Sequence, residues 1–106
     1  MENKQPSTTL KVSIGVVRRA VKELEMYRKE VEDGESKLAE LSPEDNFYAQ
    51  TARGLEESKT MVLNTQDRLR QSLMDLDSKV TGIPKESPEV DDAISWSQKA
   101  HNALAI

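Results

Sequence analysis

The sequence holds a single histidine, His101, the residue type most used for proton transfer and metal ligation, and it has no cysteine or second histidine to work with. It falls on the apolar face of a short terminal helical pattern, a setting that reads as structural rather than as ligation or proton transfer. Carboxylates are plentiful, but several stand four residues before a lysine, as Glu25 with Lys29, Asp33 with Lys37 and Asp75 with Lys79. That is the spacing of solvated helix-surface ion pairs, not of a general acid facing a general base. Gly15, Gly34 and Gly54 are isolated within helical patterns, so no loop is available to cradle a phosphate. The chain reads as non-enzymatic, with no cofactor and no metal.

The chemistry left is that of contact. Lys11, Arg18, Arg19 and Lys22 are uninterrupted by acids, although cations at a helix start oppose the helix dipole. Either the acids Glu89, Asp91, Asp92, Asp75 and Asp77 fold back to neutralise them, or Arg18, Arg19 and Lys22 form a basic contact surface. Met26 and Met61 are apolar residues that lie off the stripes of their own helices, and Tyr27 sits at the edge of one.

Those stripes define the elements that must carry such contacts. Leu10, Ile14, Val17, Val21, Leu24, Val31 and Leu38 recur at three- and four-residue steps, the period of an amphipathic helix. Tyr48, Leu55, Val62, Leu69 and Leu76 then repeat at sevens, with Ala52, Leu73 and Val80 filling alternate places, as in a coiled-coil seam. "LSPED" and "SPE" offer Ser42 and Ser87 as helix caps followed by proline, and "TGIP" offers Gly82 as a left-handed helix end before Pro84. Val90, Ile94, Ala100 and Leu104 mark a third helix, with Trp96 flanking its face as a cover for the bundle edge. Helices are expected over about residues 10–41, 43–81 and 88–105 of a single domain, after a flexible lead-in at residues 1–9. The fold class is all-α: an up-down-up three-helix bundle, drawn out into a rod with coiled-coil-like packing and a shorter third helix.

Length sets how far each helix reaches. At 1.5 Å per residue the first two helices each run about 50 Å and the third about half that, so part of the rod has only two helices. If the hairpin turns near Ser42, residue i of the first helix faces roughly residue 85 − i of the second, and the third ends near the level of Ala20 and Thr65. Val16 and Ala20, beside the main seam, are then expected to face the third helix. Met26 and Met61 are expected near one level, where the third helix runs out.

Composition narrows the partners. Four aromatic residues in 106 allow only a modest core. The 36% apolar content is interrupted by 32% charge, which leaves no membrane span, and the first residues lack the order of a secretion signal. A net charge of -4 argues against nucleic acid, whose phosphates call for a basic excess. The chain reads as soluble and cytosolic, with a protein as its partner.

The stretch "KVSIGVVRRAVKELEMYRKEV" at residues 11–31 resembles the first helix of the tubulin-binding cofactor A family, the tubulin-specific chaperones A. "LEESKTMV" at residues 55–62 is similar to that family's second-helix motif, and "SPEVDDA" at residues 87–93 to its third-helix opening. The resemblance implies a cytoplasmic, cytoskeleton-associated cofactor that captures β-tubulin folding intermediates after the chaperonin and passes them to other tubulin-folding cofactors, without catalysis or nucleotide. It departs at Leu63, where family members often carry proline, so a kink in the second helix is not expected; "NFYAQTARG" departs from a more basic hairpin end. The contacts expected are Arg18, Arg19, Lys22, Met26, Tyr27 and Met61. The alternative is a structural coiled-coil protein that homodimerises through its two-helix end, and the composition leaves monomer and homodimer both open.

Overall fold

Pro6 has no N–H to leave unpaired and a φ already suited to a helix, and the first helix begins on it. The computed structural model describes residues 6–84 and 86–106. Its elements are α1 (Pro6–Glu40), α2 (Tyr48–Val80) and α3 (Pro88–Ala105) in an up-down-up bundle, the all-α architecture the periodicities imply. Residues 6–9 of the expected lead-in are therefore helical, because proline opens the helix rather than preceding it; residues 1–5 lie outside the described residues.

The second helix begins five residues later than expected. The N–H of Asp45 donates to the Ser42 carbonyl at 2.9 Å, and the Phe47 N–H donates to the Asp45 carboxylate at 2.8 Å. This side-chain-closed turn holds residues 42–47 out of the helix, so Ser42 caps nothing and α2 starts from Phe47 without a side-chain cap. At the other end Gly82 is not left-handed. Thr81 stays right-handed, and the N–H groups of Gly82 and Ile83 donate to the Lys79 and Val80 carbonyls at 3.2 and 3.1 Å, tightening the last turn until Pro84 stops it. α3 opens where expected, on extended Ser87 and Pro88 with Glu89 and Asp91 in the positive first turn, although the Ser87 side chain makes no cap hydrogen bond.

The longer connector shifts the hairpin register by about one helical turn. Gly34 lies against Leu55, Ser58 Oγ donates to Glu30 at 3.3 Å, Glu23 pairs with Arg68 at 3.1 Å, and Ser13 Oγ donates to Asp75 at 3.0 Å. α3 also lies further up α1, by more than that one turn: Lys11 pairs with Glu89 at 3.9 Å, and Arg28 donates to the Ala103 carbonyl at 2.8 Å. α3 thus ends at the level of Arg28 rather than Ala20.

The core runs through Leu10, Ile14, Val17, Val21 and Leu24 of α1, Leu69, Leu73 and Leu76 of α2, and Ala93, Ala100 and Ala103 of α3. Alanines let α3 lie close to its neighbours, whereas Ile94, expected as an anchor, points outward and is 48% exposed. Thr65 is fully buried on α2, a polar residue that a count of apolar positions passes over; its hydroxyl accepts from Arg68 at 3.2 Å. Trp96 packs at the edge of the core with Lys99 Nζ 4.3 Å above its ring. The rod measures 67 × 23 × 15 Å, and the 18 residues of α3 span roughly 27 Å of it. Over the rest α1 and α2 pack alone, and Val31, Leu38 and Val62 are only partly buried there.

The close approach of Gly34 separates the two glycines of this section. A Cβ on Gly34 would meet Leu55 Cδ1 at 3.1 Å, whereas one on Gly54 would meet nothing within 4 Å. Gly54→Ala is expected to stabilise the protein by about 0.5–1 kcal/mol through helix propensity. Gly34→Ala should gain less or lose stability, because buried Leu55 must move. Urea unfolding of both variants measures this, and equal stabilisation would mean that the helices do not approach closely here.

Candidate interaction surface

The six contact residues expected from the sequence fall on three sides of the rod. Arg19 lines the open groove between α1 and α2 with Val16, Glu23, Arg68 and Gln71. Tyr27 stands one turn beyond Glu23, and Met61 seven residues before Arg68, so both continue that face and both are partly buried. Val16, expected under α3, also lies here: the apolar arc of α1 is as wide as its spacing implies, but α3 covers its other side, against Val21, Glu25 and Arg28.

Lys22 and Met26 share the outer back of α1, one turn apart, and Met26 is 48% exposed. Arg18 lies seven residues before Glu25, along the α1–α3 edge. Arg18, Arg19 and Lys22 are exposed and form no ion pair among the described residues; of the basic cluster only Lys11 meets the acidic start of α3. Helical spacing thus puts Tyr27 and Met61 on the side of Arg19, and Met26 and Met61 lie at about one level, as expected, but on different sides of the rod. Met61 instead borders a shallow depression with Arg53, Glu56, Glu57 and Thr60.

Several other titratable groups make contacts within the bundle. Asp75 accepts from Lys79 and from buried Ser13, and these hydrogen bonds, Lys79's first, hold its carboxyl below the usual value. His101 stands exposed rather than on the apolar face, 3.5 Å from Asp77, which also accepts from Ser97 at 2.9 Å. Lys29 pairs with Asp33 at 3.7 Å instead of with Glu25. No cluster of metal-ligating residues occurs among the described residues, and no described helix is long and apolar enough to cross a membrane.

One surface was not read from the sequence. Where α3 ends, α1 and α2 leave a groove of about 400 Å³ lined by Arg28, Val31, Glu32, Lys59, Val62 and Leu63. Leu63 is 64% exposed at its rim. The available signal was an apolar residue next to seam residue Val62, beyond the reach of a short third helix.

Residues 5–102 match the family described as Tubulin binding cofactor A. The chain belongs to the tubulin binding cofactor A family. It is 41% identical over 70 residues to tubulin-specific chaperone A of Mus musculus, a match spanning 63% of this chain and 65% of that protein. It is 36% identical over 91 residues to tubulin-folding cofactor A of Arabidopsis thaliana, covering 79% and 80% of the two chains. The crystal structure of the Arabidopsis thaliana cofactor superposes with a TM-score of 0.83 at 31% identity over 92% of this chain and 96% of that one. Human tubulin chaperone cofactor A does so with 0.81 at 28% over 92% and 99%. The resemblance carried by residues 11–31, 55–62 and 87–93 is thereby borne out. In this member of the tubulin binding cofactor A family, α2 runs through Val62 and Leu63 as one helix, as the lack of a proline there implies.

Proposed function

We propose that this chain is a tubulin-folding cofactor that captures β-tubulin folding intermediates after the chaperonin and holds them for other tubulin-folding cofactors. The observation that carries this reading is a family relationship over most of a chain whose rod leaves long helix faces uncovered. The mouse and Arabidopsis thaliana relatives are named for tubulin chaperoning and tubulin folding. The mechanism is that of a holdase in the cytoplasm, on the way to the cytoskeleton. Arg18, Arg19 and Lys22 orient an acidic client by charge, and Tyr27, Met26 and Met61 offer adaptable apolar contact to surface not yet buried in it. It uses no nucleotide and forms no covalent intermediate.

The test is a pull-down of β-tubulin from chaperonin-folded material. The wild-type chain should retain β-tubulin, and the combined Arg18→Glu, Arg19→Glu, Lys22→Glu variant should retain less at unchanged helicity, with the difference shrinking as salt rises. A tight dimer that holds no tubulin would instead favour a structural coiled-coil protein joined through the two-helix end.

A further inference from the structure

We infer that the groove past the end of α3 receives an amphipathic helix of the client, whose N-terminal turn carries a carboxylate directed at Arg28 and Lys59. This rests on the reading that the chain holds a tubulin client, and it names a surface that none of the sequence-derived contacts includes.

The groove is the axial continuation of the trough that α3 fills. α1 and α2 keep their pairing past Arg28, through Glu30 with Ser58 and Gly34 against Leu55, so the two walls of a helix-wide trough persist after its occupant stops. The floor is apolar, made by partly buried Val31 and Val62 with exposed Leu63 at the rim. A third helix laid here buries the same kind of stripe that α3 buries below it.

Charge selects which helix and in which direction. Arg28 donates one terminal nitrogen to the Ala103 carbonyl, whereas its other terminal nitrogen is buried with no acceptor among the described residues. The Lys59 ammonium, across the groove, is held only by exposed Glu56 one turn away at 3.5 Å. Two cations thus stand at the entrance against one lining acid, Glu32. The last carbonyls of α3 add the negative pole of its dipole at the same place. A helix entering with its N-terminus against α3 sets its positive pole on that negative one. Acidic residues favour that first turn, where a carboxylate meets the exposed Lys59 ammonium and the positive charge of Arg28 beside it. The incoming helix then runs parallel to α1, as α3 does.

The experiment uses the full chain and β-tubulin folding intermediates from the chaperonin as the probe, with Leu63→Glu, Lys59→Gln and Lys59→Glu as variants. Both positions are exposed, so thermal unfolding should be unchanged and serves as the control for folding. Leu63→Glu should lower retained β-tubulin about fivefold or more, the loss expected when a charge replaces a large apolar side chain in the contact. Lys59→Glu should lose more than Lys59→Gln, which distinguishes a carboxylate partner from a purely apolar one. If the wild-type chain retains β-tubulin and Leu63→Glu retains it equally, the groove inference is overturned and the tubulin-folding reading stands. If the wild-type chain retains none, both are overturned. If wild type sediments as a dimer that Leu63→Glu turns into a monomer without loss of tubulin, the occupant is a second copy of this chain and the inference is overturned.

Discussion

Leu24→Ala will destabilise the protein by about 2 to 4 kcal/mol, whereas Met26→Ala, two residues away, will change stability by no more than about 0.5 kcal/mol. Leu24 is fully buried within the cluster of Val17, Val21 and Leu69, where α1 and α2 are also covered by α3. Removing its isobutyl group forfeits transfer free energy and leaves a cavity that three packed helices cannot readily close. Met26 projects from the back of α1 and is 48% exposed, so truncation mainly removes solvated surface. Val31→Ala should fall between them, because Val31 lies in the two-helix section and is only partly buried. Urea unfolding with a common slope for all three variants measures the ranking. A Met26→Ala loss equal to that of Leu24→Ala would mean that the outer face of α1 is covered in solution by something the isolated bundle lacks.

That contrast marks what could be read before any coordinates. Leu10, Ile14, Val17, Val21 and Leu24 repeat at the helical period, and each is buried. Periodicity reports the environment along one helix, so the three helices, the seams of α1 and α2 and the short third helix were legible, whereas on the weakly patterned α3 Ile94 was misplaced. Register between helices is a different quantity, since it depends on how many residues a connector consumes. Here the Asp45 carboxylate closes a turn on Phe47 and keeps residues 43–47, five of those expected to be helical, out of α2. That local bond moves every cross-helix pairing by about a turn, and it carries the end of α3 and the partners of each α1 residue with it. The side on which a third helix settles is equally hidden from one helix's wheel. Val16 and Glu25 flank the α1 stripe on opposite sides, and only packing places α3 beside Glu25. The groove at Leu63 escaped for the same reason: no single helix contains it, and it exists because α3 stops at Arg28.

The way α3 is held leads to the second large effect. Its buried residues are Val90 and three alanines, so it contributes little apolar area, and its docking depends on close approach more than on bulk. Ala100 is fully buried in that contact. Ala100→Glu places a carboxylate in that close-packed apolar contact, at a cost of about 3 to 5 kcal/mol. The α1–α2 pairing retains Leu10, Ile14, Val17, Leu24, Leu69, Leu73 and Leu76, so the loss should appear first as release of α3 rather than as unfolding of the rod. Hydrogen exchange should show the amides of residues 93–103 losing protection, with those of residues 17–24 and 69–76 keeping most of theirs. Acidity should reverse part of the effect. Burial raises the pKa of the introduced carboxyl, so the docked state binds a proton more readily than the released one, and protection of α3 should return as pH falls towards about 4 to 5. Ala100→Ser, which adds no charge, should show a smaller loss and no such recovery. Equal loss of protection in all three helices would instead make α3 part of one cooperative unit with the hairpin, and unchanged protection would mean that Ala100 does not face the core.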